Sequence, residues 1–113
     1  MELTQRGAVP AYLDGVRAAL SDVPVDELDR MVDALAGAFL EGRQVFTLGN
    51  GASAALASHL ACDLGKGTAS DLGRGPVVSG GRRLRILSLN DNAALMTALG
   101  NDLHYRDVFL EQL

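Results

Sequence analysis

The sequence predicts an α/β fold built around a parallel sheet, and three observations carry that prediction. Val45-Phe46-Thr47-Leu48 is a strand-like run that breaks sharply into Gly49-Asn50-Gly51. Arg85-Ile86-Leu87-Ser88-Leu89 repeats the pattern and runs into Asn90-Asp91-Asn92. Segments of helical periodicity lie between and around the two. Strands alternating with helices read as β-α-β units. Continuous rather than alternating apolar runs suit parallel strands covered on both faces.

Each element has its own justification, in chain order. Val9, Leu13, Val16 and Leu20 form one stripe at helical spacing, so a helix is predicted over 8–21, with Pro10 in its first turn. Pro24 breaks it. A second helix over 25–40 carries the stripe Leu28, Val32, Leu35 and Phe39, with Asp26 and Glu27 in the first turn, where the helix dipole favours acids. Gly42 stands where a helix-stopping glycine belongs. The strand 45–48 follows, then a helix over 53–64 with Leu56, Leu60 and Leu64 on one face. From Gly65 to Arg83 the chain turns rich in Gly and Ser and reads as a long loop. Val77-Val78 is the one extended piece within it, and Arg82, Arg83 and Arg85 cluster near its end. After the second strand come a short helix over 92–99, a turn at Gly100-Asn101-Asp102, and a last helix starting near Tyr105. Two portions result: a helical pair, 1–42, and an α/β portion, 43–113. No internal repeat is present.

Length and composition set the outer limits. The chain has 113 residues, enough for one small domain with its own core. A net charge of -4 does not favour nucleic acid or an anionic membrane, and no aromatics interleave with the arginines for base stacking. No apolar run approaches the ~18 residues of a membrane span. A single cysteine, Cys62, allows no disulfide within the chain and suits a reducing cytoplasm. Cys62 is read as a small buried residue, and His104 as a surface one.

The loop Gly49-Asn50-Gly51-Ala52-Ser53 carries the first candidate chemistry. Strand, tight loop and helix N-terminus together present free N–H groups and a positive dipole end to an anion. Gly49 to Ala54 also fits the G-x-G-x-x-A form of a dinucleotide fingerprint. That fingerprint needs an acidic residue at the end of the second strand, ~20 residues on. Here the second strand ends only at Asp91, and Asp71 lies in the Gly-rich loop, so no nucleotide cofactor is expected. The Walker A form fails for want of Gly-Lys-Ser/Thr. Two readings stay open: a Gly turn with Ser53 as helix cap, and a cradle in which Asn50 and Ser53 meet a phosphate or sugar oxygen.

His59 and Asp63 are the second candidate. Four apart on a helix, they share one face. Such a pair can be a plain hydrogen-bonded contact, two metal ligands, or an acid–base couple. Asp91 and Asn50 both stand at carboxyl ends of predicted strands, the place where open parallel sheets bind ligands.

Taken together, these residues resemble a known family. The segments 45–53 with His59 and Asp63, then Ser88 to Asn92, Thr97 to Asp102 and Val108-Phe109, resemble the sugar isomerase (SIS) domain, in its phosphoheptose isomerase branch. The resemblance runs along the whole chain and reaches about the first three fifths of a usual member. It implies a three-layer α/β/α sandwich, here incomplete and preceded by two helices. It also implies conversion of sedoheptulose 7-phosphate to an aldose phosphate through an enediol. By the same resemblance Asn50, Gly51, Ala52, Ser53, Asp91 and Asn92 contact substrate. His59 corresponds to a zinc ligand of some members, with Asp63 beside it, and Asp63 stands at the place of the catalytic Glu. Two departures accompany it: Ala52 replaces a Gly of the Gly-Asn-Gly-Gly-Ser motif, and Asp63 is one methylene shorter than Glu. The family's Ser/Thr-rich phosphate loop and its later Gln and His are not in this sequence. The expected partners are a phosphorylated sugar and either further copies, as a tetramer, or a chain supplying the second half. An alternative within the family is a non-catalytic module that binds a phosphosugar, or a protein such as the replication initiator.

Overall fold

The structure, a computed structural model, describes residues 7–68 and 83–113. The elements are α1 (Ala8–Ser21), α2 (Val25–Glu41), β1 (Gln44–Thr47), α3 (Ala52–Gly67), β2 (Arg85–Ser88) and α4 (Ala93–Asp102). Two single 3₁₀ turns follow, Tyr105–Asp107 and Leu110–Gln112. Asp71, Val77, Val78 and Arg82 lie outside the described residues. Contacts divide the chain into two compact units, 1–33 and 34–113.

In the first unit α1 buries no residue. Its predicted stripe forms, but Val9, Leu13, Val16 and Leu20 are all exposed. The Asp14–Arg17 ion pair on its polar side, at 2.8 Å, is fully solvated and adds little.

The second unit begins within α2, whose Ala38 is buried. Gly42 ends the helix as expected. Its φ of +70° is a left-handed conformation that favours glycine, and the Arg43 N–H closes the end on the Ala38 carbonyl at 2.8 Å.

β1 and β2 pair in parallel, with Gln44 opposite Arg85 and Thr47 opposite Ser88. The ladder continues one bond further, from the Leu89 N–H to the Thr47 carbonyl at 2.9 Å. α3 covers the face bearing Val45, Thr47, Ile86 and Ser88. Its contact row is small: Ala57 and Ala61 are buried, and a Cβ on Gly65 would stand 3.4 Å from Ile86 Cγ2. Small residues let helix and strand backbones come close, and the Thr47 hydroxyl donates to the Ala57 carbonyl at 2.9 Å. At the other end of α3, Thr68 Oγ1 accepts from the Leu84 N–H at 2.9 Å and so ties the helix end to the start of β2.

Several expectations change here. The Leu56, Leu60 and Leu64 row is not the packing face of α3, because Leu56 is 68 % and Leu60 45 % exposed. The alanines fit the close approach that leucines would block. The strands are not covered on both faces among the described residues: Phe46 and Leu87 remain 40 % and 52 % exposed on the side opposite α3. α3 runs to Gly67, into the stretch expected to be loop, and α4 absorbs the expected turn at 100–102. The last helix is replaced by the two 3₁₀ turns around Val108, which is fully buried. Cys62 is exposed rather than buried, because it sits off the alanine row. His104 is exposed, as expected.

The tightest packing point is Gly49. A Cβ there would lie 2.6 Å from the Ser53 carbonyl carbon and 2.7 Å from its Cβ, closer than real side chains come. Gly49→Ala should therefore lower unfolding stability by about 1–3 kcal/mol, whereas Gly65→Ala, with ordinary contact distances, should cost clearly less. Urea denaturation of both variants checks this, and equal midpoints for the two would contradict it.

Candidate functional site

The carboxyl ends of β1 and β2 lie side by side, and one residue stitches them together. The Gly49 N–H donates to Asn90 Oδ1 at 3.0 Å, and Asn90 Nδ2 donates back to the Gly49 carbonyl at 2.8 Å. The side-chain amide thus acts as one more ladder residue. This reciprocal pair holds the loop 49–53 beside the turn 90–92.

The loop spends some of its N–H groups on itself. Gly49 gives its N–H to Asn90, and Ser53 gives its own to the Asn50 carbonyl at 3.1 Å. The N–H groups of Asn50, Gly51 and Ala52 have no partner among the described residues, as the first turn of a helix requires. Ser53 is not the helix cap: Gly51 holds that position and no side chain caps the helix. The Ser53 hydroxyl has no partner among the described residues and is exposed at the loop. Tyr105 donates its hydroxyl to Asn50 Oδ1 at 2.7 Å.

Asp91 sits at the second strand end. Its Oδ1 accepts from the Ser58 hydroxyl at 2.5 Å, and Ser58 lies 3.3 Å from the buried Ser88 hydroxyl. Ser58 has one hydrogen and gives it to the carboxylate, so Ser88 donates to Ser58. Ser88 in turn accepts from the Asn90 N–H at 3.2 Å. Asn92, expected at the substrate, caps α4: its Oδ1 accepts from the Leu95 N–H at 3.0 Å. Asp91 and Asn92 line an open recess of about 550 Å³ with Ser88, Leu95 and Gln112. A small-molecule ligand fits a space of that order.

His59 and Asp63 form the predicted i,i+4 pair, Nε2 to Oδ2 at 2.8 Å. They lie on the face of α3 turned away from the buried Ala57 and Ala61, and are 75 % and 48 % exposed. Asp63 Oδ1 is taken by Lys66 Nζ at 2.9 Å. Ten residues of helix separate Ser53 from Asp63, about 15 Å along the axis at ~1.5 Å per residue. The chain therefore joins the loop to the 90–92 turn through Asn90, while Asp91 meets α3 at Ser58, and His59 and Asp63 stand on another face of that helix.

The hydrogen bond from Lys66 is the main cause holding the Asp63 carboxyl below its ordinary 3.8, against a smaller opposing effect of burial, with His59 adding to the lowering. The same contact raises Lys66. Zinc needs three or four protein donors. Among the described residues no group of three His, Cys, Asp or Glu is placed to hold a metal, and the Lys66 ammonium already occupies one Asp63 oxygen. This donor set does not by itself fit zinc.

Sequence reasoning passed over Asn90, Ser58 and Tyr105. Asn90 and Tyr105 act on residues 41 and 55 positions away, and neither short-range spacing nor periodicity reports such pairs. A polar residue at a strand end beside an apolar run was the one signal available for Asn90.

No established family profile matches the chain. A lincomycin biosynthesis protein, LmbN, of Streptomyces lincolnensis is 41% identical over 104 residues, covering 86% of this chain and 35% of that protein. The phosphoheptose isomerase of Pelobacter propionicus is 36% identical over 83 residues, covering 74% of this chain and 39% of that one. Among solved structures, phosphoheptose isomerase GmhA from Neisseria gonorrhoeae superposes with a TM-score of 0.74 at 21% identity, covering 96% of this chain and 52% of the other. By fold, then, the chain is an α/β domain that matches about half of that solved structure. Its sequence is similar over most of its length to proteins named phosphoheptose isomerase. It spans between 35% and 51% of the length of the curated relatives it matches, less than three fifths.

Asp63 gives a pH-dependent prediction. Its carboxyl is depressed in the fold, so the contact adds stability above the ordinary carboxyl range and loses it as pH falls through the lowered value. Lys66→Met removes the main cause, so the Asp63 carboxyl should then titrate at higher pH. Carboxyl-carbon NMR titration measures the midpoint, and an unmoved one would show that Lys66 does not hold it.

Proposed function

We propose that this chain binds a phosphosugar at the joined strand ends and contributes to isomerisation of sedoheptulose 7-phosphate. One observation supports this above others: the Asn90–Gly49 pair ties the loop, with open N–H groups at Asn50, Gly51 and Ala52, to the turn that carries Asp91. Donors at one strand end and a carboxylate on the turn at the other suit a ligand that carries both an anion and hydroxyls. The likeness to proteins named phosphoheptose isomerase points the same way.

In this reading Asn50, Gly51, Ala52 and Ser53 hold ligand oxygens, and Asp91 accepts from sugar hydroxyls. Asn92 shapes the recess from the α4 cap. Asp63 is the base that moves a proton between C1 and C2 through an enediol, and His59 orients it. Asp63 lies about 15 Å along the helix axis from Ser53, and in this reading the site is completed by a second copy, as in a tetramer, or by a chain supplying a second half. The helical pair 1–42 would support that assembly, with 43–113 carrying the site, in the cytoplasm. Zinc at His59 and Asp63 would need further donors from such a partner, and no step here depends on it.

A second reading has its own support. Both Asp63 oxygens are occupied, by His59 and Lys66, which suits a non-catalytic module that binds a phosphosugar or a protein such as the replication initiator.

Binding and turnover of sedoheptulose 7-phosphate, alone and with a complementing half, separate the two. Under the first reading, Asp63→Asn leaves affinity unchanged and lowers turnover about 10²–10⁴-fold. Binding without turnover in either condition supports the module. Absence of binding sinks the first reading and the phosphosugar form of the second, leaving only a module that binds a protein.

A further inference from the structure

Tyr105 reaches the strand-end loop from 55 residues away, and its hydroxyl donates to Asn50 Oδ1 at 2.7 Å. Tyr105 is 60 % exposed, but its backbone is held on one side. Its 3₁₀ turn leads directly into Val108, which is fully buried. A Cβ on Gly100 of α4 would meet Tyr105 Cδ2 at 3.7 Å and Val108 Cγ1 at 3.8 Å, so the ring edge rests against α4 while the hydroxyl extends to the loop.

The consequence follows from the amide's inventory. Asn50 offers one oxygen as acceptor and two N–H groups as donors. Tyr105 engages the oxygen, which leaves the NH₂ as the amide's main open group, and Nδ2 has no partner among the described residues. The neighbouring backbone groups of Asn50, Gly51 and Ala52 are also open donors. Without Tyr105 the Asn50 amide has no side-chain partner among the described residues to hold it at the loop.

We infer that Tyr105 is a positioning residue: its hydroxyl bond to Asn50 Oδ1 holds the Asn50 side chain at the loop and leaves the NH₂ as the open group for an acceptor oxygen of the ligand. This rests on the phosphosugar reading of the same site.

A double-mutant cycle on the full chain tests it, with sedoheptulose 7-phosphate as the probe. Affinity is measured by calorimetry for the parent, Tyr105→Phe, Asn50→Ala and the double variant, with thermal midpoints alongside. Tyr105→Phe should weaken binding about three- to tenfold with the midpoint unchanged, and should have no further effect in the Asn50→Ala background. Asn50→Asp, which keeps an acceptor for Tyr105 but replaces the donor, should lose binding more than tenfold. Unchanged affinity of Tyr105→Phe, an equal loss in both backgrounds, a loss that tracks a lowered midpoint, or retained affinity of Asn50→Asp each overturns the inference and leaves the phosphosugar reading intact. A parent chain that does not bind the probe overturns both.

Discussion

The reciprocal hydrogen bonds between Asn90 and Gly49 are the constraint on which the candidate site depends. Two strands of four residues each make a short parallel ladder, and such pairs are marginal without help from packing. Beyond Leu89 the backbones diverge into a loop and a turn. Asn90 prolongs the pairing by one step, because its amide matches a peptide group in donor, acceptor and spacing. An Asp at this position could not donate, and a Leu could do neither. Both bonds use the amide in one orientation, so a flipped amide would lose them together. The loop and Asp91 are neighbours because of this side chain.

The second constraint is closeness. α3 meets the sheet through Ala57, Ala61 and Gly65, and Gly49 admits the first turn of the same helix. That arrangement brings Ser58 within hydrogen-bonding reach of Asp91 and Ser88. It also turns the leucine row outward. The sheet side bearing Phe46 and Leu87 and the stripe on α1 are exposed as well. Apolar surface distributed in this way is the mark of faces that pack against something. It agrees with a chain that spans about half the length of its curated relatives.

Much of the local structure was legible in the sequence. The Gly49-Asn50-Gly51 break, the two apolar runs and the Gly42 stop placed both strands and three helices to within a few residues, because each is governed by neighbours in the chain. The packing face of α3 was misread for a physical reason. Leucines at helical spacing signal hydrophobicity, whereas helix–strand proximity is decided by small side chains, and Ala57 and Ala61 look unremarkable among many alanines. The end of the chain was misread likewise, since Phe109 and Leu113 stand four apart as on a helix, while the fully buried residue there is Val108. At the site, the loop, Asp91 and the His59–Asp63 contact could be read from strand ends and an i,i+4 spacing. Asn90, Ser58 and Tyr105 could not, because each acts across the fold.

The electrostatics of the strand ends constrain how any phosphosugar would lie there. Asp91 is a carboxylate, and at about 4 Å a second anion would be repelled by ~4 kcal/mol at a near-surface effective dielectric of ~20. A phosphate beside Asp91 is therefore disfavoured, while hydroxyls there gain a charged acceptor. The open N–H groups of Asn50, Gly51 and Ala52, at the positive end of α3, have the opposite preference. The two strand ends are thus complementary poles. On the phosphosugar reading, anionic oxygens would turn to the end of β1 and the hydroxyl-bearing carbons to the end of β2. With its oxygen engaged by Tyr105, the Asn50 amide adds its NH₂ to the first pole. The polarity of the site is then set jointly by the backbone of one strand end, the carboxylate of the other, and a tyrosine that joins neither strand.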